Sequence, residues 1–262
     1  MAARPEVGVL FTEGTNCDRE TIDALDLAGA TGERVHLSEL EAGGQDLADY
    51  EALVVPGGFS YGDDVASGRV LAVELRTRLA EQLRDFTEKD EKPVVGICNG
   101  FQVLVKSGLL PEGSIDADQR LSLTGNDSNR FEWRWTTLGY NRDNNCVFLD
   151  GAFPTESSMQ VAHGEGKLVV PSDEFRELGE NQQVVFQYLD ERGHATEEYP
   201  WNPNGSVEGV TGITDRTGRI LGMMPHPERS IRPEQTPPDS MGHHGVPGRR
   251  LFEGLVGYVR NS

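Results

Sequence analysis

A chain of 262 residues is long enough to bury a sizeable core, as one large α/β domain or two small ones. Its 43 acidic against 24 basic residues give a net charge of -19, which repels nucleic acid and anionic membrane but leaves room for a local site for an anionic ligand. No apolar run is long enough to cross a bilayer, and residues 1–6 lack the charged-then-apolar pattern of a secretory signal, so a cytoplasmic protein is the simple reading.

The 31 glycines and 14 prolines point to a turn-rich molecule rather than a helical bundle. Lysine occurs only at Lys89, Lys92, Lys106 and Lys167, so the positive charge is mostly arginine. Acidic, lysine-poor chains suit a high-salt cytoplasm, where screening removes self-repulsion; a halophilic origin is therefore a hypothesis to be tested by melting in salt. The three cysteines, Cys17, Cys98 and Cys146, are an odd number, widely spaced and without a C-x-x-C pair. Neither a disulfide framework nor a zinc site is expected.

The opening reads as a βα unit: a strand at Val7–Phe11, a turn at Gly14-Thr15-Asn16, then a helix with Ile22, Leu25, Leu27 and Ala28 at helical spacing and Gly29 as its stop. Further strands are expected at Arg34–Leu37 and Ala52–Val55, the latter running into Pro56-Gly57-Gly58. A helix follows with Val70, Val73, Leu75, Leu79 and Leu83 on its apolar side. Pro93–Ile97 is a strand and Asn99–Ser107 a short helix closed by Gly108. Beyond Leu123 the texture changes. Strands are expected at 131–136, 146–149, 160–162, 168–170, 184–188 and 220–224, residues 231–248 read as loop, and 251–259 as a closing helix. Strands alternating with helices imply a parallel sheet covered on both faces. No repeat or linker divides the chain, so one domain over residues 1–262 is expected.

The most informative stretch is Gly96-Ile97-Cys98-Asn99-Gly100-Phe101-Gln102. It places a cysteine at a sharp turn from a buried strand into a helix, with small residues where the backbone folds tightly. A helix N-terminus favours negative charge and offers free N–H groups to a developing oxyanion, as a thioester intermediate requires. A lone G-x-C-x-G is equally well read as a packed core cysteine, so a partner base must be found. Of the six histidines His226 is best placed: it follows an apolar strand, sits between two prolines, and has Glu228 two residues on, on the same side of an extended segment. His36, His194, His243 and His244 read as surface residues. His163, in Ala162-His163-Gly164-Glu165-Gly166, is harder to set aside. Gly57 and Gly58, ending a strand, free backbone N–H groups to converge on an anion, and in a doubly wound sheet they share the carboxyl edge with Cys98.

Together these residues resemble the class I (triad) glutamine amidotransferases, whose G-x-C-x-G-x-Q elbow matches Gly96–Gln102 and whose P-x-H-P-E segment is close to residues 224–228. Within that class the chain is similar to the glutaminase subunits of phosphoribosylformylglycinamidine synthases. The matching segments are Gly14-Thr15-Asn16-Cys17-Asp18, residues 56–64, Cys98–Gln102, Asn126-Asp127-Ser128 with Arg130-Phe131-Glu132, residues 162–167, Asn202–Ser206 and residues 222–229. Asn99 discriminates, because many relatives in the class carry leucine there.

The resemblance implies a Rossmann-like, mostly parallel sheet flanked by helices, with additional strands. It implies Cys98, His226 and Glu228 as catalytic triad, an oxyanion held by backbone N–H groups near Gly58 and Asn99, and Gln102 helping to hold glutamine. It also implies a separate synthetase subunit that receives the ammonia and uses ATP and magnesium, and a small third protein that bridges the two. No cofactor or metal is expected in this chain, which has no G-x-x-x-x-G-K-S/T loop. The competing readings are the glutaminase part of another synthase and a non-catalytic glutamine-sensing subunit. Trp133, the Glu197-Glu198 pair and residues 231–248 have no counterpart in the pattern.

Overall fold

The computed structural model describes residues 3–149, 153–237 and 246–262. Strand β1 (Glu6–Phe11) leads into helix α1 (Asp18–Ala28), then β2 (Thr31–His36), α2 (Leu37–Ala42) and β3 (Ala52–Val55). After α3 (Arg69–Arg78) and α4 (Ala80–Arg84) come β4 (Val94–Ile97), α5 (Asn99–Ser107) and a short α6 (Leu109–Glu112). The second half supplies β5 (Ser122–Thr124), β6 (Glu132–Tyr140), β7 (Glu156–His163), β8 (Lys167–Val169), α7 (Ser172–Glu180), β9 (Val184–Tyr188), β10 (Val210–Thr214), β11 (Ile220–Met223) and α8 (Pro247–Asn261).

Nine strands form one sheet in the order β2-β1-β3-β4-β11-β10-β9-β6-β7, and β5 pairs with β8 in a separate two-stranded sheet. Neighbours from β2 to β11 are parallel, whereas β10, β9, β6 and β7 extend the sheet antiparallel. The parallel half is the sheet that the alternating pattern predicts, and with the antiparallel half added it is the Rossmann-like sheet with additional strands that the resemblance implies. Val7, Val9, Val54, Val94, Val95 and Ile97 are buried on both sheet faces, which is why these strands read as apolar runs rather than alternations. Helix α8 packs on α1, and α3 packs on α5. The right-handed crossovers of a doubly wound sheet put these two pairs on opposite faces.

Gly29 (φ 96°) and Gly108 (φ 89°) end α1 and α5 in left-handed conformation, as read from the sequence. Several expectations are corrected. Val73 is exposed, because the buried stripe of α3 is Leu71, Ala72 and Leu75. Leu27 is exposed on α1. Leu37 begins a helix instead of ending β2. Residues 146–149 form a turn: Asn144 Oδ1 accepts the Cys146 N–H at 2.8 Å, and the Val147 N–H goes to Gly218 rather than to a ladder. Helix α7 and strand β10 carry no expectation in the sequence. Part of the loop expected at 231–248 is a short 3₁₀ turn at Pro233–Gln235, and residues 238–245, with His243 and His244, lie outside the described residues. Among the described residues no helix is long and apolar enough to cross a membrane.

Candidate active site

Four segments meet at the carboxyl edge of the parallel strands: residues 12–17 after β1, 56–58 after β3, Cys98 after β4, and 224–229 after β11. Registration follows from the sheet, since β11 pairs with β4 through Gly222↔Gly96 and Met223↔Ile97, and the Cys98 N–H donates to the Met223 carbonyl at 2.8 Å. Cys98 and His226 therefore leave neighbouring strands side by side.

Cys98 is buried and adopts φ 51°, ψ -103°, outside the regions a cysteine ordinarily occupies. The strain is held by packing. A side chain on Gly100 would place its Cβ 1.8 Å from the Val55 carbonyl oxygen, so only glycine lets the first turn of α5 sit against β3. With Cys98 at the N-cap, the N–H groups of the first turn of α5 have no intrahelical acceptor. The thiol donates to the Ala162 carbonyl of β7 at 3.5 Å.

His226 and Glu228 are both buried, and Nδ1 stands 2.5 Å from Glu228 Oε1. Its backbone N–H donates to the Gln160 carbonyl at 2.8 Å, which clamps the loop to β7. Nε2 has no direct hydrogen-bond partner among the described residues. Burial disfavours the imidazolium, but the Glu228 carboxylate and the nearby Cys98 thiol outweigh it and hold the His226 pKa well above its ordinary value. Gly57 lies flat against the ring: a Cβ there would stand 2.8 Å from His226 Cε1. At Gly58 (φ 145°) the flanking bonds run from Cys17 N–H to the Gly57 carbonyl and from Phe59 N–H to the Gly14 carbonyl.

Asn99 and Gln102 are buried and belong to a polar network. Asn99 Nδ2 donates to Gln102 Oε1 at 3.0 Å and to Asp63 Oδ1 at 3.2 Å, while Asn99 Oδ1 accepts the Ser60 N–H. Gln102 Nε2 donates to the Glu165 carbonyl at 2.6 Å, tying α5 to the Ala162–Gly166 segment. Burial raises the Asp63 pKa within this network. His163, buried beside Asn126, also belongs to this wall. His36 bonds Ser38 and packs on Phe11, and His194 is exposed, as expected of bland residues.

Two residues to which the sequence assigns no role, Cys17 and Arg229, complete the surroundings. Cys17 Sγ lies 4.0 Å from His226 Nδ1, and Arg229 Nη2 donates to that sulfur at 3.4 Å while Arg229 Nε stands 3.9 Å from Glu228 Oε1. Their only advance signal is membership of the Gly14–Asp18 and 222–229 segments. The donor atoms of Cys17, His226 and Glu228 lie within 4.8 Å of one another, the one group of metal-ligand type among the described residues. Each is already engaged, by the Arg229 guanidinium or by the short His226–Glu228 bond.

A strained thiol over a helix N-terminus, faced by a buried His–Glu pair from the next strand of a doubly wound sheet, is an arrangement suited to thiol-dependent acyl transfer. The model of the CobB/CobQ-like glutamine amidotransferase domain matches residues 4–259, and the chain belongs to that family. It is 45% identical over 229 residues to phosphoribosylformylglycinamidine synthase subunit PurQ of Methanococcus maripaludis, covering 87% of this chain and 84% of that protein. The same subunit of Dehalococcoides mccartyi is 43% identical over 255 residues, covering 96% of each. A chain in the structure of PurLQS from Thermotoga maritima superposes with a TM-score of 0.74 at 29% identity, covering 98% of this chain and 99% of that one.

Proposed function

We propose that this chain is the glutaminase subunit of a phosphoribosylformylglycinamidine synthase, hydrolysing glutamine and delivering ammonia to an ATP-dependent synthetase subunit in purine biosynthesis. The observation that carries the chemistry is the pairing of Cys98, strained at the end of β4, with the His226–Glu228 pair at the end of the adjacent β11. Likeness to named synthase subunits over most of the chain carries the choice of synthase.

In the proposed mechanism the Cys98 thiolate attacks the side-chain carbonyl carbon of glutamine. A C–S bond forms and the carbonyl π pair moves onto oxygen, where backbone N–H groups of Gly58 and Asn99 receive the charge. Collapse breaks the C–N bond as His226 gives its proton to the departing nitrogen, and ammonia leaves. Water then adds to the thioester with His226 as base, and glutamate departs with the sulfur returning as thiolate. Glu228 holds the imidazole and stabilises its charged form. Gln102, through its bond to Glu165, shapes the wall that receives the amino-acid end of glutamine, and Gly57 gives the imidazole its place.

The whole chain acts as one domain in this reading, since the site draws on residues from 14 to 229 and α8 packs back on α1. ATP and magnesium are used by the synthetase subunit, a small third subunit bridges the two, and the complex works in the cytoplasm. Glutamate release should be weak from the isolated chain and rise strongly with the synthetase subunit, formylglycinamide ribonucleotide and ATP. Cys98→Ala should abolish it while added ammonia still drives amidine formation. Absence of glutamate under all these conditions would move the chain to a glutamine-sensing role.

A further inference from the structure

Strand β7 brings two carbonyls to the site and ends at His163, the next residue in the chain. The Gln160 carbonyl accepts the His226 N–H, the Ala162 carbonyl accepts from the Cys98 thiol, and His163 comes next, only 3% exposed. The proton on His163 is placed by Asn126. Asn126 Nδ2 donates to the carbonyls of Arg130 at 2.9 Å and His163 at 2.8 Å, so the amide cannot be turned round without setting an acceptor against two acceptors. Asn126 Oδ1 accepts the Gly166 N–H at 2.9 Å and stands 3.1 Å from His163 Nδ1. That ring nitrogen must therefore be the donor, which leaves Nε2 as a lone pair. Nε2 is buried and has no partner among the described residues. Burial, reinforced by the charge on His226, keeps the ring neutral, with a pKa of about 3.

A buried acceptor that does not take a proton is costly unless a donor meets it. Glutamine carries two N–H donors on the group attached to the reacting carbon, and glutamate carries none there. We infer that His163 reads the carboxamide: its Nε2 accepts an N–H of the glutamine side chain and turns a lone pair towards the carboxylate of glutamate, admitting the substrate and expelling the product. The assignment rests on the glutaminase reading above. His163 exchanges no proton in it, and the proton delivered to the leaving nitrogen still comes from His226.

The test compares the wild type with His163→Gln, whose amide can turn an N–H₂ towards a carboxylate, and with His163→Phe, which offers neither donor nor acceptor. Three readouts are taken: kcat and KM for glutamine, inhibition by glutamate, and labelling of Cys98 by a chloromethyl ketone analogue of glutamine that lacks the carboxamide. In His163→Gln, glutamine kcat/KM should fall about tenfold or more, mainly through KM, and glutamate should inhibit at correspondingly lower concentration. His163→Phe should lose glutamine without gaining glutamate. Both variants should label at the wild-type rate, since the analogue offers His163 no donor. Normal labelling with an unchanged glutamine-to-glutamate preference in both variants would overturn the assignment alone. A wild type that is not labelled would overturn the glutaminase reading, and this assignment with it.

Discussion

At the scale of single residues the site is a contest between burial and charge. His226 is wholly enclosed, which by itself would keep it neutral, yet a carboxylate at 2.5 Å and a thiol close by reverse the outcome. Removing the Glu228 charge removes the larger of the two opposing pulls, so the folded pKa of His226 must fall. In the proposed mechanism the imidazolium supplies the proton to the leaving nitrogen, so the alkaline limb of the kcat/KM profile should move to lower pH in Glu228→Gln. Activity should drop by about 10²–10⁴, less than on loss of Cys98. A pH profile of glutamate release measures both, and an unmoved alkaline limb would show that Glu228 does not govern His226. Arg229 bears on the same balance through Glu228 and Cys17.

At the scale of elements the elbow is a packing device. Helix α5 lies so close to β3 that Gly100 has no room for a methyl group, and the contact fixes the unusual backbone of Cys98 at one end of the same turn. Gly100→Ala forces backbone against backbone, with no flexible side chain to yield. It should cost at least about 3 kcal/mol and lower the melting temperature by about 6–12 °C, with glutaminase activity lost alongside. Calorimetry decides it: a variant melting within a degree of the wild type would mean that α5 can shift away from β3 without penalty. Strand β7 is the second organising element. It clamps the His226 loop by a backbone bond, and the Ala162–Gly166 segment it leads into is bound by Gln102 of α5.

At the scale of the whole molecule the net charge of -19 is only partly answered by local pairing. Arg120 and Arg216 share Glu112 and Glu177, and Arg120 also binds Glu174, in a cluster joining α6, α7 and the turn after β10, where hydrogen bonds from Arg216 and then Arg120 hold the Glu112 pKa down. The remaining excess of carboxylates repels itself at low ionic strength, and the Debye length shrinks to about 3 Å at 1 M salt. The melting temperature should therefore rise by several degrees between dilute buffer and molar KCl. A flat response in thermal denaturation would remove the case for a high-salt origin.

The sequence alone determined what is local and periodic. The apolar runs of β1, β3, β4 and β11, the stops at Gly29 and Gly108, and the thiol elbow of residues 96–102 all depend on neighbours a few positions apart, so their chemistry is written in order along the chain. His226 and Glu228 could be paired in advance for the same reason. Tertiary structure decided whatever joins distant positions. Cys17 reaches His226 and Arg229 across 209 and 212 residues, and the tautomer of His163 is set by Asn126, 37 residues away. Helix α7 has only Phe175 and Leu178 to mark its inner face and is held by Arg120, so periodicity does not reveal it. Strand β10 is buried along its whole length although it carries Thr211 and Thr214, and the Thr214 hydroxyl is matched by Asn145 and the Gln183 carbonyl. The buried hydroxyl of Thr214 is satisfied by partners from far along the chain, and that information is absent until the chain has folded.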